Sequence, residues 1–320
     1  MKPPISGVSD AQLERLIAAL DSLVDGEAAA ARLVACGERA VPYLERYLLA
    51  GPPRTIALPR CRAVQALGEL GAYSSLIAYF EEYERPGDAA VLFAEDAVRS
   101  AAARELARWK TEEVFRTLAD AAKQRATGGI TFALGEFRRA EALPQLFDLL
   151  EDDLCREEAK DAIRKLPEDA RQYAILSIRG ATALQLTGPA ALRRLRATLQ
   201  LLDEFGVLPS DWQDLRRFLF DVDADVVIAA ASIGSHLPEA ADQREIVRSL
   251  FRISKHLNWT QEDQVDRLLG ANRELAREIA NAIVEERTRH GEHPDWLSPG
   301  WRILRRAAGR ELDGSHFTSA

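Results

Sequence analysis

The side chains able to do chemistry are few and widely spaced. The five histidines are His236, His256, His290, His293 and His316. His290 and His293 are close together, but Gly291 and Pro294 mark a helix end there, and a surface loop explains them. No metal or other cofactor is expected. Cys36, Cys61 and Cys155 stand singly, with no Cys-x-x-Cys. An odd number without zinc-ligand spacing fits buried thiols in a reducing compartment. The carboxylate pairs Asp152–Asp153 and Glu157–Glu158 fall at helix starts, where capping accounts for them. No Gly-rich phosphate loop and no Gly-x-Ser-x-Gly elbow is present. No catalytic residue is assigned, and the chain is read as non-enzymatic.

The remaining candidates are aromatic. Tyr43 and Tyr47 are four residues apart, as are Tyr79 and Tyr83, so each pair shares a helix face. Aligning Leu44 and Leu48 with Leu76 and Phe80 puts Tyr79 in the place of Tyr47. Glu45, Glu81, Glu82 and Glu84 are close by. Two readings stay open. The tyrosines could finish a core, or Tyr43, Tyr47, Tyr79, Glu82 and Tyr83 could line an acidic groove for a basic or extended protein segment, since Tyr is enriched at interfaces.

Bulk charge argues against nucleic acid. Lys and Arg number 18 against 21 Asp and Glu in residues 1–150, 6 against 8 in 151–187, and 18 against 21 in 188–320. No part is basic, so phosphate binding has no electrostatic footprint. The arginine groups at 193–196, 216–217 and 302–310 are interleaved with apolar or acidic residues, as on solvated helix faces. No window approaches eighteen apolar residues, and Met1 to Val8 carry no apolar leader, so a soluble cytoplasmic protein is expected.

The elements that position these residues follow one frame. Around Leu67, an Ala stands four before and a Gly one after, within Arg60–Gly71. The frame recurs at Leu33, Leu106, Leu134, Ile163 and, more loosely, Ile233. Ala29, Ala63, Ala102, Ala159 and Ala229 keep the small position, while Ile130 breaks it. Unit lengths near thirty residues, each of two short helices, predict an all-α solenoid whose units bury their apolar faces only by stacking. The helix pairs are 26–36 with 41–49, 60–70 with 73–83, 96–109 with 112–124, 129–137 with 142–150, and 156–166 with 168–178. Residues 1–24 are read as a capping helix opened by Ser9 and Gln12. Residues 25–180 are read as the repeats, and 181–320 as further, longer helices in what is taken as one continuous array. Capping motifs are expected at Ser210–Gln213 and Thr260–Asp263, the latter with Trp259 as a staple. A short helix is expected at 301–308, before a frayed tail.

A polar ladder runs through the frame. Asp96, Asp153 and Asp223 lie ten before their anchors, and Arg60, Arg99 and Arg156 lie seven before theirs. Asp suits a helix N-terminus. Each Arg is expected to pair with the acidic residue of the next unit, a structural role, the other reading being a basic ladder for an anionic ligand.

Asp96–Leu106 and Arg60–Gly71 resemble HEAT-like repeats of the short type first noted in phycobilin lyases. The likeness covers residues 25–180 well and 220–255 weakly. It implies an α-α superhelix, armadillo/HEAT-like, of roughly eight helix pairs. Function is left open, since such repeats serve as scaffolds, lyase subunits, DNA glycosylase relatives and hydroxylases. The His-Glu pairs of the iron-binding hydroxylases are absent. The preferred reading is a protein-interaction scaffold or adaptor that binds a partner segment on its concave face, without membrane or nucleic-acid partners. The alternative is a lyase-like or DNA-glycosylase-like enzyme holding its ligand in the groove.

Overall fold

A computed structural model describes residues 8–51, 54–180, 188–237, 240–290 and 304, without the side chains of 240–242 and 286–290. The sites expected at His293 and at 301–320 lie outside them, apart from Leu304. The described residues contain seventeen α-helices and no strand, the helical-repeat architecture expected of about eight pairs. The chain divides into two compact units, Met1–Leu166 and Pro167–Ala320.

The first unit holds α1 (Asp10–Ala19), α2 (Gly26–Ala35), α3 (Val41–Leu49), α4 (Leu58–Glu69) and α5 (Tyr73–Glu81). These are followed by α6 (Ala89–Leu106), α7 (Glu112–Arg125), α8 (Gly128–Phe137), α9 (Leu143–Asp148) and α10 (Arg156–Ile163). The first helices of successive pairs, α2, α4, α6, α8 and α10, pack side by side in one layer. In the other layer α1, α3, α5 and α7 follow in order. All five anchors of this unit, Leu33, Leu67, Leu106, Leu134 and Ile163, are buried between the layers.

Small residues set the spacing. A methyl group on Gly135 of α8 would lie 2.5 Å from the Ala162 Cβ of α10, and one on Gly129 would overlap the Ser100 backbone of α6. Ala29, Ala63, Ala102 and Ala159 are buried in the same seams. The approach of these helices outweighs the roughly 1 kcal/mol that a mid-helix glycine costs in propensity.

The second unit holds α11 (Pro167–Gly180), α12 (Pro189–Phe205), α13 (Pro209–Leu215), a 3₁₀ turn (Arg216–Phe220), α14 (Ala224–Ser235), α15 (Ala240–Ile253), α16 (Trp259–Ala271) and α17 (Arg273–His290). Here α12, α14 and α16 form one layer, with α11 against α13 and α15 against α17. Pro167 opens α11, as its missing N–H allows.

Several helix starts differ from the sequence reading. α6 begins two turns early, because Asp88 accepts from the Ala90 and Val91 N–H groups and takes the capping role expected of Asp96. Asp223 does cap α14, through the Val226 N–H at 3.1 Å. Cys155 holds the cap position of α10, leaving Asp153 beside it. Ser210 sits inside α13, which Pro209 opens. At α16 the cap is Asn258, with Gln261 reaching back, and Trp259 is exposed rather than stapled.

Candidate functional site

Because the first helices of the first unit run parallel, the linkers that enter them fall along one edge. These are the segments 20–25, 50–57 and 82–88, each running from the end of a second-layer helix to the start of α2, α4 or α6.

Buried arginines hold this edge from beneath. Arg62 of α4 donates to the Leu20 and Ser22 carbonyls at 2.9 and 2.8 Å. Arg60 donates to the Leu48 carbonyl at 2.8 Å. Arg99 of α6 donates to the Ala121 and Arg125 carbonyls at 3.0 and 3.2 Å. The last carbonyls of a helix lack internal partners and sit at its negative end, so a guanidinium there satisfies them and the dipole together. Arg156 does the same at Leu150, 2.9 Å away, and in the second unit Arg217 and Arg252 reach the Ile178 and Leu219 carbonyls.

The acidic partners are fewer than the ladder suggested. Arg60 pairs with Glu95, not with Asp96. One residue along a helix turns the side chain by about 100°. Glu95 therefore faces α4, while Asp96 faces α7 and binds Arg125. Arg99 pairs with no carboxylate in the described structure. Arg156 pairs locally with Asp153.

The sequence-chosen tyrosines divide. Tyr79 is buried, donates its hydroxyl to Glu95, and lies under Arg60, 5.6 Å from the guanidinium to the ring centroid. Burial, reinforced by Glu95, holds that hydroxyl far above the ordinary tyrosine range. Arg99 stacks on Tyr83 and neighbours Phe80, at 3.7 and 5.5 Å from the ring centroids. Tyr79 is thus a core residue, and Tyr83 forms part of the floor.

Tyr47 reaches the edge itself, where its hydroxyl donates to Asp21 at 2.5 Å. Arg54 joins them, 2.6 Å from Asp21, and keeps its carboxyl below the usual range. Glu82 is exposed at the end of α5. Tyr43 lies away from this group, half-buried toward the start of α3 under Arg46. Of the five chosen residues, Tyr47 and Glu82 stand at the edge, Tyr83 in the floor beneath it, Tyr79 in the core and Tyr43 apart.

What the sequence reading missed is the apolar rim. Leu23, Val24, Ile56, Leu58 and Phe93 stand at the entries to α2, α4 and α6, between 45% and 87% exposed. A signal was present: Val24, Leu58 and Leu154 all lie nine before their anchors, and all three are exposed. The rim is also acidic. Segments 20–27, 50–58 and 81–88 carry seven acidic residues against Arg54 and Arg85.

Of the arginines considered for phosphate binding, those at 302–310 lie outside the described residues, and Arg217 is spent on the Ile178 carbonyl. Arg196 pairs with Asp223 and Asp225, and Arg216 pairs with Glu245.

Among the described residues no helix is long and apolar enough to cross a membrane. Neither a protein-family model nor a curated protein matches the chain. Among solved structures, a designed armadillo repeat protein in complex with the peptide (KR)4 is similar over 81% of this chain and 99% of that one, with 17% identity and a TM-score of 0.27.

Proposed function

We propose that this chain is a non-enzymatic scaffold that binds a basic, apolar-faced segment of another protein along the linker edge of its first unit. The observation that carries this reading is the exposure of Leu23, Val24, Ile56, Leu58 and Phe93, on two adjacent linkers and in the first turns of α4 and α6. Scattered exposed apolar residues are ordinary, but a row rimmed by charge is the usual mark of an interaction surface. Each side chain covered by a partner contributes about 1.5–3 kcal/mol when fully buried.

The acidic rim selects the partner's charge and speeds its approach. Arg62 holds the linker 20–25 and Arg99 holds Tyr83, so binding spends less on ordering those two segments. Glu82 and Tyr47 supply polar contacts at the margin, the part the tyrosine pattern pointed to.

The test is co-purification of the tagged chain from its own cells, with Ile56→Glu/Phe93→Glu as the comparison. A protein partner retained by the parent chain and lost by the variant, at unchanged thermal stability, supports the reading. Recovery of no protein partner, or one held equally by both, opposes it.

A further inference from the structure

The second unit contains a groove of about 370 Å³ between α12, α14 and α16. Its walls are apolar, with Ile228, Ala229, Leu268 and Ala271 among them. Its floor holds one unspent acceptor. Asp203 takes the Ser232 hydroxyl on Oδ2 at 2.7 Å, while its Oδ1 is buried and has no hydrogen-bond partner among the described residues. His236 Nε2 stands 3.9 Å from Oδ1 at the exposed mouth.

Gln200 and Gln264 also line the groove and offer neutral amides, while the other charged groups beside Asp203 are committed. Asp225 is taken by Arg196 and by Gln261 at 3.0 Å. Arg267 pairs with Asp263 on its own helix. Asn272 donates to the Ser235 carbonyl and accepts from the Leu275 N–H. Of the two carboxylates lining the groove, Asp203 is the one left with an open oxygen beside the apolar walls.

We propose that this groove is a binding site for an alkylammonium group, with Asp203 receiving the cation and the walls taking the chain. An ammonium offers three donors and a full charge, and its carbon stem packs on apolar surface. The volume lies at the small end of ligand pockets, enough for a short aliphatic chain. Burial raises the Asp203 carboxyl above its ordinary range, so the bare charge is costly there and a cation offsets that cost. The same chemistry could arrive as a free amine or as a lysine of a bound protein.

The test uses the full chain and four probes in ligand-observed NMR: butylamine, N-acetyl-lysine amide, 1-butanol and butyrate. Both amines are expected to bind at least tenfold tighter than the alcohol or the acid. Tighter binding of butylamine points to a free amine, and tighter binding of the lysine amide to a side chain. Asp203→Asn should weaken the amines at least tenfold. His236→Lys, at an exposed helix end, should do likewise by placing a tethered ammonium beside Asp203 without disturbing the core. Equal binding of butanol and butylamine, or amine binding unchanged in both variants, overturns the assignment. The probes and variants touch only the second unit, so this outcome is separate from that of the partner experiment on the first.

Discussion

The guanidinium carbon of Arg99 lies 3.7 Å from the ring centroid of Tyr83, with no part of Arg99 exposed. The stack joins the end of α5 to α6, and the two carbonyl bonds of Arg99 join α6 to the end of α7. A buried cation without a carboxylate is costly, and here the π-face and the helix end supply the missing negative potential. Arg60 and Arg62 do related work one unit earlier, at the ends of α3 and α1.

Glu95 is the only carboxylate paired with Arg60 among the described residues, and it also receives Tyr79. Glu95→Gln should lower unfolding stability by about 3 kcal/mol, since it strands a buried charge. Tyr79→Phe should cost about 1–2 kcal/mol. Urea denaturation of both single variants and the double variant should show coupling of at least about 0.5 kcal/mol.

Gly135→Ala should destabilise by about 1–3 kcal/mol, because the added methyl meets Ala162 across the α8–α10 seam. Gly71 has φ +75° and open space around it. Its Ala variant should lose about 1–2 kcal/mol, from backbone strain alone. Thermal melts of the two variants separate packing from conformation.

Burial pushes the Cys155 thiol up to about 11, from an ordinary 9.0. The folded state then holds this proton more tightly than the unfolded state. Stability is unaffected by the group below pH 9 and declines as pH rises from 9 toward 11. Cys155→Ser or Cys155→Ala should flatten that part of the stability profile. In the native protein at pH 8, labelling of Cys155 by iodoacetamide should be far slower than in urea.

Asp203 is raised chiefly by burial, against the lowering effects of Ser232 and His236 and with Glu204 adding to the rise. Its charge therefore costs stability above the carboxylate range, and the cost disappears as acid protonates it in both states. Asp203→Asn should raise stability slightly at pH 7, by less than about 1 kcal/mol given its partial exposure. The gain over the parent chain should shrink between pH 7 and pH 4.5 in a series of thermal melts.

The repeat frame was readable because stacking constrains it twice, through the anchors Leu33, Leu67 and Leu106 that recur once per unit and through the small residues at Ala63, Ala102 and Gly135. The ends of the arginines were not readable. Their acceptors are backbone carbonyls such as Leu48 and Ala121, which any residue type provides, so the sequence carries no mark of them. Asp96 and Glu95 show how fine the limit is, since adjacent acids on one helix face different neighbours. The tyrosines were ambiguous for a similar reason. Tyr47 and Tyr79 hold matching positions, but Glu95 lies over Tyr79 while Tyr47 has Asp21 at the surface. The apolar rim was legible in principle at Val24, Leu58 and Leu154, yet a period that places residues outside the core looks like noise when only the core pattern is sought.

Hydrogen–deuterium exchange of the full chain, alone and with its co-purified protein partner, tests the scaffold reading most directly. Slowed exchange confined to residues 20–27, 54–58 and 81–93 is the expected result. Protection confined to other segments, or an unchanged exchange pattern on adding the partner, would contradict it.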